Sequence, residues 1–144
     1  MIALDTNILV YAHRLESENH GSALTALSEL QSEQRPWGLP WPCVHEFLAT
    51  VTNRRLFRSP TPMSVAFEAI TTMTATGRAH LLGEAPGHLD RLQGLLGSSR
   101  VTGAKVHDAR IAAICLSHGV TELWTADRDF GYFPELRTRN PLVG

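Results

Sequence analysis

Ile2-Ala3-Leu4-Asp5-Thr6-Asn7 opens the chain with three apolar residues cut off by an acid. A short apolar run without polar alternation reads as a strand buried on both faces. Asp5 ends that strand, and Thr6 is placed to cap a helix over Asn7 to about His13. Near the other end of the chain, Glu122-Leu123-Trp124-Thr125 repeats the pattern and is followed by Asp127 and Asp129. Trp37-Gly38-Leu39 and His80-Leu81-Leu82 are further strand candidates, and Leu136 to Arg139 is a weaker edge candidate.

Helices fill the intervals. One is expected from about Glu18 to Gln34, with Ala23, Leu24, Leu27 and Leu30 at helical spacing. Another follows Pro40 and Pro42, residues suited to a helix's first turn, and runs to about Arg55. Met63 to Ala75, His88 to Ser98 and Lys105 to His118 complete the set. Gly94 and Gly97 weaken the second of these, and Gly119 closes the third. Short strands alternating with helices define an α/β domain with a mostly parallel, twisted sheet of about four to five strands. The length of 144 residues suits a single domain, residues 1–144. Ligands of such sheets bind outside the carboxyl ends of the strands, near a topological switch point.

Composition narrows the function classes. Hydrophobic residues make up 43% and charged residues 19%, which excludes disorder and fibrous classes. A net charge of −1 excludes a general nucleic-acid coat, whose footprint would be strongly basic. Cys43 and Cys115 are too few for a disulfide framework and point to a reducing compartment. The N-terminus has no basic segment ahead of its apolar run, and no run approaches the ~20 residues that span a bilayer. A cytoplasmic protein without a membrane segment is the expectation.

Asp5 and Asp127 stand where the switch-point rule places a ligand. Asp108 is the sharpest of the remaining acids. Ile111, Ala112, Cys115 and Leu116 form an apolar stripe, and Asp108 occupies its top, where a hydrophobe is expected. A buried carboxylate there needs a cation or donors, and Lys105 or Arg110 are the local candidates. Glu46 lies opposite the stripe Val44, Phe47, Leu48 and Val51, on a polar face with Thr50 and Asn53. Four or five carboxylates on one edge repel one another, and a divalent cation resolves the conflict. All-oxygen ligands suit Mg²⁺ or Mn²⁺, and phosphodiester hydrolysis is the natural reaction.

Leu4-Asp5-Thr6-Asn7, Val44-His45-Glu46-Phe47, His107-Asp108-Ala109 and Thr125-Ala126-Asp127-Arg128-Asp129-Phe130 together resemble the PIN-domain nucleases, specifically the VapC-type toxins of bacterial toxin–antitoxin pairs. The resemblance spans nearly the whole chain, although residues 59–99 carry none of its motifs. It implies a single PIN-like domain that cleaves RNA endonucleolytically with Mg²⁺ or Mn²⁺, by metal-activated water in an acidic site. Asp5, Glu46, Asp108 and Asp127 match the acidic quartet, with Asp5 and Asp108 as the expected metal ligands and Glu46 as a candidate proton acceptor. Asp129 matches an additional acid, and Thr6, Asn7 and Thr125 match supporting polar residues. It further implies products with 5′-phosphate and 3′-hydroxyl ends, a homodimer, and a separate antitoxin that silences the enzyme, with a toxin–antitoxin hetero-oligomer as the corresponding assembly.

Charge is distributed unevenly. Residues 1–50 carry 2 basic and 6 acidic side chains, whereas residues 51–144 carry 11 basic and 8 acidic ones. Arg54, Arg55, Arg58, Arg100, Lys105 and Arg110 are candidates for holding RNA phosphates around the cut. Arg128, between two site acids, is expected to pair structurally. His45 and His107 each precede a site acid, so on a helix each points about 100° away from it, and no Cys/His spacing fits zinc. Cys43 and Cys115 read as packing residues. Trp37, Trp41 and Trp124 are candidates for core or dimer packing or for base stacking. A phosphatase of the haloacid dehalogenase type would need aspartate at position 7, where Asn7 stands. The alternative outside the enzymes is a non-catalytic RNA- or protein-binding module with a structural cation.

Overall fold

The computed structural model describes residues 1–75 and 77–143. Its sheet has five parallel strands: β1 (Ile2–Leu4), β2 (Trp37–Pro40), β3 (Ala79–Leu82), β4 (Glu122–Trp124) and β5 (Thr138–Arg139). The spatial order is β3-β2-β1-β4-β5, so the chain steps outward to one side of β1 and then resumes on its other side. That reversal is the switch point, and it lies between β1 and β4. Leu4 is in register with Trp124, which brings Asp5 and Thr125 to the same edge.

Six helices flank the sheet: α1 (Thr6–His13), α2 (His20–Ser32), α3 (Trp41–Val51), α4 (Met63–Thr74), α5 (His88–Ser99) and α6 (Val106–Ser117). None of the described helices is long and apolar enough to cross a membrane. Ala3, Leu4, Leu39 and Leu123 on the strands meet Ile8, Phe47, Ala112 and Ile114 on the helices in one continuous core. The inner strands β1, β2 and β4 are apolar apart from Glu122 because helices cover both faces.

Local details depart from expectation in four places. Asp5, not Thr6, caps α1: its backbone is extended (φ −84°, ψ 163°) and its side chain accepts from the Thr6 N–H. In α2, Ala23, Ala26 and Leu30 are buried, whereas Leu24 is exposed. α3 stops at Val51, four residues early, where the Asn53 side chain takes the Arg55 N–H at 2.8 Å and begins a turn. Residues 128–132, to which the sequence assigns neither helix nor strand, wind into a short 3₁₀ turn capped by Asp127. Gly119, at φ 70°, ends α6 as its lack of a Cβ permits.

Candidate active site

Asp5 is the buried corner of the acidic edge. It is 5% exposed, and both its carboxylate oxygens are engaged. Oδ1 accepts from the Thr6 N–H at 2.8 Å and from the Cys43 thiol at 3.6 Å. Oδ2 accepts from the Thr125 hydroxyl at 2.6 Å and from the Asn7 amide at 3.4 Å. Burial raises the Asp5 carboxyl above its ordinary value, and the Thr125 and Thr6 hydrogen bonds oppose that rise. Thr125 is also the hinge to the next acid, since its Oγ1 accepts the Asp127 N–H at 2.9 Å. Asn7 ties the two strand ends together by accepting the Ala126 N–H at 3.2 Å.

The other acids stand more open. Glu46 projects from the second turn of α3, where the Thr6 hydroxyl donates to its Oε2 at 3.0 Å. Asp108 lies in the first turn of α6 and is half-buried. A basin of about 270 Å³ is lined by Asp5, Thr6, Asn7, Glu46, Asp108 and Asp127, among others. Thus all four acids of the expected quartet share one cavity. Asp108, Asp127 and Asp129 form the tightest group among the described residues, with one oxygen from each lying within 4.8 Å of the others. Asp5 is not a member of that triad.

Electrostatics sets Asp108 apart. Desolvation pushes its carboxyl up to about 6, reinforced by Asp127, Asp5, Asp129 and Glu46 in that order. The cations expected to relieve it are engaged elsewhere. Arg110 pairs with Glu84, and Lys105 sits 3.4 Å from Asp129 and 4.4 Å from the Tyr132 ring. One lysine on three clustered carboxylates leaves negative charge in excess. Hard oxygen donors in that arrangement fit a divalent cation such as Mg²⁺ or Mn²⁺. The N-terminus of α1 at Asp5 and that of α6 at Asp108 add favourable dipoles.

The remaining candidates separate clearly. Arg54, Arg55, Arg58 and Arg100 are exposed beyond helix ends. Arg128 is exposed and has no carboxylate partner among the described residues, so the expected pairing is absent. Lys105 takes Asp129 instead, because the 3₁₀ turn presents Asp129 toward the start of α6. Cys43 and Cys115 are free and buried, and burial holds both thiols well above their ordinary range. Both pack in the hydrophobic core, where a thiol is a poor nucleophile. The Cys43 contact to Asp5 was invisible in the sequence, since nothing local links residues 38 apart.

An open parallel sheet with carboxylates gathered at its switch edge defines the class, and the chain belongs to the PIN-domain family, whose model matches residues 2–136. It is 35% identical over 144 residues to Ribonuclease VapC43 of Mycobacterium tuberculosis, covering 100% of this chain and 97% of that protein. Ribonuclease VapC31 of the same organism is 32% identical over 141 residues, covering 98% of this chain and 99% of the relative. Among solved structures, FitAcB from Neisseria gonorrhoeae matches with a TM-score of 0.73 at 21% identity, covering 100% of each chain. VapBC2 from Rickettsia felis, bound to a DNA fragment from its promoter, matches at 0.69 and 19% identity over 97% of this chain and 98% of the other. These last two likenesses establish the shared fold.

Proposed function

We propose that the chain is an endoribonuclease dependent on Mg²⁺ or Mn²⁺ and that it acts as the toxin of a toxin–antitoxin pair. The observation that carries this reading is the convergence of Asp5, Glu46, Asp108 and Asp127 on one basin, with Asp129 beside them and Lys105 as the cation in contact. Full-length relatives named as VapC ribonucleases support RNA as the substrate. The fold neighbours that are toxin–antitoxin complexes support a separate protein antitoxin as partner. A homodimer, a toxin–antitoxin hetero-oligomer and a cytoplasmic location are part of the same proposal.

Asp108, Asp127 and Asp129 are the residues that would hold the ion, and Asp5 contributes a further negative charge to the same basin. Such an ion lowers the pKa of water and polarises a phosphoryl oxygen. Thr125, Asn7 and the start of α1 fix the Asp5 carboxylate, so its charge stays aimed at the basin without reorganisation. Glu46, held by the Thr6 hydroxyl, accepts the proton as water attacks phosphorus. The P–O3′ bond breaks, which leaves a 5′-phosphate and a 3′-hydroxyl. Arg54, Arg55, Lys105 and Arg110 are proposed to hold flanking phosphates, although Lys105 and Arg110 must first exchange their present carboxylate partners.

The test is incubation of the purified, antitoxin-free protein with labelled total RNA and Mn²⁺ or Mg²⁺. Discrete fragments that vanish with EDTA and in Asp108→Asn protein are expected, with activity falling by more than about 100-fold. Metal binding by folded protein without cleavage of any RNA would instead favour the non-catalytic module.

A further inference from the structure

His45 and His107, which precede two of the acids in the chain, both line a second cavity. This groove, of about 510 Å³, lies between α3 and α6 and is nearly twice the volume of the acidic basin. Its walls are apolar at Pro42, Ala49, Ala104 and Ile111 and polar at the two histidines. Glu46 and Asp108 line both cavities, so the groove opens directly off the acidic basin. Trp41 stands beside it on the first turn of α3, with its ring 6.0 Å from that of His45 and tilted by 39°. Trp41 is 40% exposed, whereas Trp37 and Trp124 are 1% and 3% exposed in the core. The Trp41 indole lies near Gly83 and stays partly open beside His45.

We propose that the α3–α6 groove seats one unpaired RNA base next to the scissile phosphate, with the base lying against His45 and backed by Trp41. The inference rests on the ribonuclease reading above. A phosphate is the poorer occupant, because Pro42, Ala49, Ala104 and Ile111 give the groove apolar walls that offer it no hydrogen-bond donors. A base is neutral and flat, so it suits apolar walls and heteroaromatic rings. A nucleotide whose phosphate lies at the shared acids places its base in the adjoining space. The groove therefore acts on substrate choice, while the acids act on the bond.

Trp41 makes the proposal measurable, since it is the exposed indole of the three. Homopolymeric RNA tetranucleotides of A, C, G and U are titrated into Asp108→Asn protein with Mg²⁺, so that the probe stays intact, and tryptophan emission is followed. At least one tetramer is expected to quench emission saturably, and an abasic ribose-phosphate tetramer is not. His45→Ala should weaken that binding roughly 5- to 150-fold, the range of base–aromatic stacking. In the active protein, His45→Ala and Trp41→Ala should raise KM for cleaved RNA with kcat retained, and an abasic flanking position should abolish the difference from wild type. Absence of quenching with all four tetramers, or equal binding of abasic and normal chains, overturns the base seat. The total-RNA cleavage assay reads the other proposal separately: cleavage without quenching removes only the base seat, and quenching without cleavage removes only the nuclease.

Discussion

Asp5 and Asp108 stand at one sheet edge and meet desolvation in different ways. Asp5 is closed in. Its four donors come from a backbone amide, a thiol, a hydroxyl and a carboxamide, and three of them belong to α1 or to the β4 exit. Asp108 is open to the basin, with Asp127 and Asp129 close by and both nearby cations turned to other carboxylates. Burial raises both carboxyls, but only Asp5 has hydrogen bonds that compensate. The contrast separates an acid that is part of the framework from acids left unbalanced for a ligand. Removing each should therefore move stability in opposite directions.

The largest effect is expected at the closed corner. Asp5→Ala deletes the α1 cap and strands the Thr125 hydroxyl, at a cost of about 2–4 kcal/mol in urea unfolding. A loss below about 0.5 kcal/mol would mean that the corner is not structural. Thr125→Val comes next. It removes the hydroxyl that donates to Asp5 and accepts from Asp127, so it should destabilise by about 1–2 kcal/mol. Cleavage should fall roughly 10–100-fold, as losses of supporting hydrogen bonds around a metal site do. Unchanged cleavage in a folded Thr125→Val protein would detach the corner from the chemistry.

The smallest effect has the opposite sign. The Asp108 carboxyl is raised from 3.8 to about 6 in the fold, so the folded state binds its proton more tightly than the unfolded chain does. The stability it contributes is fully present below about pH 3.8 and is lost as pH rises through about 6. In metal-free protein at pH 7, Asp108→Asn should therefore raise stability, by about 1 kcal/mol once solvent screening of a half-exposed group is allowed for. That gain corresponds to roughly 3 °C in Tm at this size and should vanish near pH 4. Thermal melts at both pH values check it. A variant less stable than wild type at pH 7 would show that Asp108 is already balanced within the protein.

Much of the fold was legible. Ile2–Leu4 and Trp37–Leu39 are uninterrupted apolar runs that suit a sheet covered on both faces, Leu123–Trp124 is a shorter one, and all three lie in paired strands. The site acids were legible because they break local patterns: Asp5 interrupts an apolar run, and Asp108 tops an apolar stripe. Leu24 misled because helical spacing names a face without saying how wide a neighbour covers it, and α2 buries Ala26 instead. The Asp108–Asp127–Asp129 triad was not legible, since the Asp127 cap on Asp129 is local but the approach of that turn to Asp108 depends on its packing against α6.

By itself, the sequence determined the periodicities, the acid positions and the alternation that makes a parallel sheet, because those follow from rules acting over a few residues. The tertiary structure alone decided which charges meet. Lys105 goes to Asp129, Arg110 to Glu84, Cys43 to Asp5, and the two histidines to a shared groove. Partner choice is a competition among groups distant in the chain, and distance and burial settle it only once the helices have packed on the sheet.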